Sequence, residues 1–205
     1  MRPLAFALSI VLHPLLMPVY ALALAFSLDV HTSFFLDAKG RWIILGMVAV
    51  MTVVFPLISI ALLWRSGLVT DPAMPRREER TAPYVMTLFY QAMAYYLLRR
   101  GDQDPALLAL LTGGMAALLL TLLINLRWKI SAHLVGIGGL LGGLTALMLL
   151  HRSFEPVQLA PVILAAGALG TARLLISDHS QAQVHLGGAL GFLATFGCVI
   201  TERFV

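Results

Sequence analysis

Three polar clusters interrupt an otherwise apolar chain of 205 residues, and each carries side chains suited to holding an anion. The first runs from Asp71 to Tyr84 and contains Arg76, Arg77, Glu78, Glu79 and Arg80. The second, Arg127-Trp128-Lys129-Ile130-Ser131-Ala132-His133, adds two cations, a hydroxyl and an imidazole. The third runs from Arg173 through Asp178, His179 and Gln183 to His185. Guanidinium forks match the oxygens of phosphate, and imidazole serves as nucleophile or general acid near neutral pH. Brought together, Arg76, Arg80, Lys129, Ser131 and Arg173 could hold a phosphate while His133 and His179 act on it.

The elements that must position these clusters are set by composition. Hydrophobic residues make up 60% of the chain, 24 side chains are charged, and the mean hydropathy is +0.89, well outside the range of soluble domains. Seven stretches carry no Asp, Glu, Lys or Arg: 3–28, 42–64, 81–98, 105–126, 130–150, 156–172 and 180–201. About 20 apolar residues cross the hydrocarbon as a helix, so the expected fold is all-α: a polytopic membrane bundle of six to seven transmembrane helices in one domain, 1–205. Tyr84–Leu98 is the ambiguous stretch, only 15 residues between Pro83 and Arg99 with Gln91 inside, fit for a thin crossing or a buried half-helix. The first stretch lacks a polar break or small-residue cleavage site and reads as a retained helix. Trp42, Trp64 and Trp128 stand at the edges of apolar runs, as interfacial anchors do. Gly138/Gly142, Gly139/Gly143 and Gly187/Gly191 are spaced for close helix packing. The single cysteine, Cys198, excludes an internal disulfide.

If all seven runs cross, the loops 65–80, 126–133 and 177–183 share one face. That face holds eight Lys/Arg against Asp71, Glu78, Glu79 and Asp178, whereas the other holds six of each sign. The net charge of +4 therefore belongs to the face where the clusters meet, which suggests an anion site. It is too small for a nucleic-acid binder.

The clusters resemble the three signatures of the type 2 phosphatidic acid phosphatase (PAP2) superfamily, in the family's order. Arg173-x5-His179 followed by Gln183-Val-x-x-Gly187 is similar to Ser-Arg-x5-His-x3-Asp-Val-x-x-Gly. Ser131-Ala-His133 resembles Pro-Ser-Gly-His, and Arg76–Pro83 resembles Lys-x6-Arg-Pro. The resemblance implies a lipid phosphatase with six core helices and neither metal nor cofactor. Its partners would be a lipid phosphate substrate and membrane lipids. By position, His179 would attack phosphorus, His133 would protonate the leaving oxygen, and Arg173, Ser131, Lys129, Arg76 and Arg80 would hold the phosphate. The expected setting is a bacterial inner membrane, with the site face toward the periplasm.

This chain departs from the family at informative places. Gln183 stands where the family has Asp; Gln can fix the tautomer of His179 but supplies no charge for an imidazolium. Asp178 and Glu79 are the carboxylates that could substitute. Ala172 replaces a Ser, Ile130 and Ala132 replace Pro and Gly, and aligning Pro83 leaves Ala82 at the family's Arg, so that Arg80 and Arg76 serve in its place. The alternative reading is a PAP2-like protein that binds a lipid phosphate without hydrolysing it. An intramembrane prenyltransferase would need Asp clusters for magnesium, which the site face lacks. A metal held by His133, His179 and His185 is a further option. His13, beside Pro14, is expected to bond a carbonyl freed by the proline, and His185 to pack or to lie next to the substrate. The sequence leaves the identity of the lipid and the oligomeric state open.

Overall fold

The computed structural model describes residues 2–28, 31, 36–101, 103–177 and 179–201. Among these, all regular structure is helical. The first span, Arg2–Leu28, is interrupted: α1 (Arg2–Val11) and α2 (Met17–Leu28) are joined through a 3-10 turn at Pro14–Leu16. The second is α3 (Ala38–Ala49) and α4 (Phe55–Arg65) with a π-helical turn at Val50–Val54, just before Pro56. An extra residue in the turn accommodates a proline that cannot donate to the ladder. There follow α5 (Thr81–Arg100), α6 (Pro105–Asn125), α7 (Ala132–Leu150), α8 (Pro156–Ile176) and α9 (Gln181–Thr201). Pro105 and Pro156 open their helices where no N–H is required, and the Asp104 carboxylate caps α6 at the Ala106 N–H, 2.7 Å away.

Six of these helical runs are long and apolar enough to cross a membrane, so the chain is an integral membrane protein. The ambiguous stretch lies wholly within α5. The helix starts three residues before Tyr84, carries Pro83 in its first turn, and continues through Arg99 and Arg100 to a length of 20 residues. At 1.5 Å per residue this is about 30 Å, the thickness of the hydrocarbon. α5 also pairs with α6, an apolar helix of 21 residues. At one end the Asn125 side chain donates to the carbonyl of Arg77 and the Arg77 guanidinium donates to the carbonyl of Leu126, both at 2.8 Å. At the other end only residues 101–104 connect the two helices. The less apolar α5 is not among the six candidate spans, yet it runs beside α6 from one end to the other.

The glycines of α7 and α9 seat the two helices backbone to backbone. A Cβ at Gly138 would collide with the carbonyl of Gly188, at Gly142 with that of Phe192, and at Gly191 with that of Val135. Buried leucines of α6, α7 and α2 fill one core, while α7 and α8 share a second around Leu144, Met148, Leu159 and Val162. Outward-facing side chains such as Leu164 and Leu193 remain exposed, as they should where lipid replaces water.

Candidate functional site

The seam between α7 and α9 fixes the start of both helices. The Ser131 N–H donates to the Gln183 carbonyl at 3.3 Å, and a Cβ at Gly187 would lie 2.9 Å from the Ser131 carbonyl. Ser131, expected to hold the phosphate, is completely buried; its hydroxyl has no partner among the described residues and lies outside the cavity lining. Its backbone clamps the two helix starts together.

Above this clamp, His179, Ser180 and Gln183 form a closed set. The Ser180 N–H donates to Gln183 Oε1 at 3.1 Å, and the Gln183 N–H donates to Ser180 Oγ at 3.3 Å. A backbone N–H can only donate, so the atom receiving it is the amide oxygen. The contact between that oxygen and His179 Nδ1, also 3.1 Å, must then be donated by the ring. Nδ1 carries the proton and Nε2 is left with its lone pair. Burial pushes the His179 pKa down to about 4; the charges of Arg80, Lys129 and Arg173 act in the same direction, and the bond to Gln183 opposes them. The ring is neutral at pH 7.

His133 stands in the first turn of α7, with Nε2 3.1 Å from the carbonyl of Ser9. Arg173, in the last turn of α8, reaches the Ser9 hydroxyl at 3.5 Å, while its Nε is buried without a partner among the described residues. Arg80 is buried at the start of α5, and its Nε donates to the carbonyl of Met74 at 2.8 Å. That carbonyl is aimed by a turn in which Met74 adopts φ 46° and the Asp71 carboxylate accepts from the Ala73 N–H. Arg80, Lys129, His133, Arg173 and His179 all line one cavity of about 480 Å³, a size suited to a small ligand or part of a lipid. The three clusters thus meet on one face.

Other candidates fall elsewhere. Arg76 is exposed and outside the cavity lining. Arg77 is a strut to α6, held also by Glu78 at 2.8 Å. The Glu79 carboxylate is taken up by the N–H and hydroxyl of Thr70, at 3.3 and 2.8 Å, so it does not replace the family's Asp beside His179. Asp178 lies outside the described residues. His185 lines a separate apolar groove between α7, α8 and α9, so the three-histidine metal set is not brought together.

Two residues of the cavity went unrecognised in the sequence: Ser9, and His13 at the interruption of the first span. His13 accepts the Leu15 N–H at 3.3 Å rather than donating to a carbonyl freed by Pro14, and its ring meets that of His133 edge-on at 5.3 Å. The cavity continues past these groups into an apolar arm walled by Met17, Leu22, Leu110, Leu111 and Leu140. Gln91 and Thr195 also line it, and their side-chain oxygens are buried without partners among the described residues.

Comparisons with known protein families, with curated proteins and with solved structures find no match to this chain.

Proposed function

We propose that this membrane protein hydrolyses a lipid phosphate or prenyl diphosphate through a phosphohistidine, without a metal ion. The observation that carries the reading is His179: a neutral imidazole with Nδ1–H fixed on Gln183 and Nε2 unprotonated, in a cavity shared with Arg80, Lys129 and Arg173. The order of the three clusters and their likeness to the PAP2 signatures support it.

In this mechanism the cations hold the phosphate oxygens and the Nε2 lone pair forms a bond to phosphorus. The bond from phosphorus to the lipid oxygen breaks, and His133, which takes up a second proton on Nδ1 when the anionic phosphate binds beside it, gives that proton to the oxygen. Water then attacks the phosphohistidine, His133 takes up a proton, and phosphate and the free imidazole are released. The apolar arm of the cavity suits the lipid's tail while the headgroup meets the cations.

We place the protein in a bacterial cytoplasmic membrane with this face outward. Six of the eight cations on the site face belong to the clusters, and without them only Arg2 and Arg65 remain there, against six on the opposite face. A second reading rests on Gln183: without a carboxylate beside His179, the protein binds lipid phosphate and does not turn it over.

Phosphate release from phosphatidate, phosphatidylglycerophosphate and polyprenyl diphosphates, with chelator present, decides between them. Release that survives chelator and is lost in both His179→Ala and His133→Ala supports the hydrolase. Binding without release supports the second reading.

A further inference from the structure

The interruption of the first span places an imidazole in the cavity that none of the three clusters contains. His13 has an extended backbone, φ −68° and ψ 139°, and caps the 3-10 turn at Pro14–Leu16 with its own ring. The Leu15 N–H can only donate, so His13 Nδ1 accepts and holds no proton. In the neutral ring the proton must sit on Nε2. Placing a second proton on Nδ1 would break the cap, so the turn itself holds the ring as a neutral N–H donor.

Tertiary packing brings this donor to the site. Gly136, one turn beyond His133 on α7, gives the interruption room: a Cβ there would meet Met17 Cγ at 2.9 Å and Pro14 Cα at 3.2 Å. The His13 ring then lies edge-on to His133, and both line the cavity with Arg80, Lys129, Arg173 and His179. The same segment engages two site residues through Ser9, whose carbonyl accepts from His133 and whose hydroxyl meets Arg173. With Nε2–H of His133 committed to that carbonyl, His13 contributes to the cavity a ring N–H that has no protein acceptor among the described residues.

We infer that His13 is a third histidine of the site, donating its Nε2–H to an oxygen of the bound phosphate ester. This rests on the proposal that the cavity takes a lipid phosphate but not on its hydrolysis. A neutral imidazole as donor adds a hydrogen bond without another positive charge beside Arg80, Lys129 and Arg173. It therefore leaves the lone pair of His179 available.

The test compares binding of phosphatidate with that of the matching diacylglycerol, which lacks the phosphate, to the full-length protein in nanodiscs. Wild type, His13→Ala, His13→Gln and His179→Ala are measured, with phosphate release followed in parallel. Glutamine can place an amide N–H where Nε2–H stands. The expected result is about a tenfold loss of phosphatidate affinity in His13→Ala, unchanged diacylglycerol binding, and recovery in His13→Gln to within about threefold of wild type. Equal phosphatidate binding by wild type and His13→Ala would overturn the inference. So would a loss as large in His13→Gln as in His13→Ala, or an equal loss of diacylglycerol binding, which marks a packing role. If wild type binds phosphatidate no better than diacylglycerol, the phosphate site and His13's role in it fall together. If it binds but releases no phosphate, only the hydrolase reading fails and the binding comparison still decides His13.

Discussion

His179 and Gln183 lie one helical turn apart and are joined by a 3.1 Å hydrogen bond whose direction is fixed from outside the pair. The Ser180 N–H identifies the amide oxygen, the oxygen requires a proton on Nδ1, and that proton leaves Nε2 free. An amide thus does the orienting half of a carboxylate's work. It omits the half that stabilises a cation.

The pH dependence of the proposed hydrolysis should show this. With the His179 pKa at about 4 instead of 6.5, the free protein keeps its nucleophile unprotonated down to about pH 4. Measured kcat/KM should lack an acid limb between pH 6 and 7 from this ring, and lose activity only as pH falls through about 4. A His179 ring that titrates near 6.5 when followed by NMR would contradict the assignment.

Gln183→Asp should restore the missing charge. The carboxylate can still accept from Ser180 N–H and His179 Nδ1–H, and it stabilises the positive charge that the ring takes on when Nε2 bonds to phosphorus. Phosphate release should rise by about tenfold or more, and the acid limb should move upward. Gln183→Leu should abolish release by freeing the tautomer. No release from the Asp variant, with phosphatidate still bound, would favour the binding protein.

Arg80 and Arg76 should separate sharply. Arg80→Lys loses the Nε contact to Met74 and the planar fork, and kcat/KM should fall roughly 10- to 100-fold. Arg76→Ala removes an exposed side chain outside the cavity and should leave kcat/KM within about twofold. Comparable losses in both would place the phosphate higher in the 71–80 loop than proposed.

Among the glycines, Gly191→Ala should lower thermal stability by about 1–3 kcal/mol or prevent folding, because its Cβ meets the Val135 carbonyl with no side chain free to yield. Gly197→Ala, six residues further along the same helix, meets nothing within 4 Å and should be neutral or stabilise by about 0.5–1 kcal/mol. Detergent melting curves of the two variants provide the check.

The membrane bundle was legible because it depends on where charges are absent, a property of the chain itself. α5 was harder: its Gln91, tyrosines and threonines dilute the apolar signal, and its length is set by pairing with α6. The meeting of Arg80, Lys129, His133, Arg173 and His179 could be anticipated from loop parity. Within one loop, however, composition does not separate Arg76 from Arg80; the Met74 carbonyl and burial do. Ser131 was placed by its neighbours' types, yet the close approach of Gly187 turns its backbone into the working part. His13 announced only a break, at His13-Pro14. Its partner, His133, lies 120 positions away, and nothing local in the sequence signals that distance closing.

The seam between α7 and α9 also bears on kinetics. It leaves no slack between the ends carrying His133 and His179, so the half of the cavity to which the proposed hydrolysis assigns bond-making is a fixed jaw. On the proposed function, the interrupted first span and the Arg80 loop form the opposing jaw, and that jaw is expected to yield as a lipid arrives or departs. Stiffening that jaw, for example with a disulfide engineered across the break between α1 and α2, should spare the first chemical event and retard the departure of the lipid alcohol. Rapid-mixing experiments would then show a burst of bond cleavage followed by slow turnover.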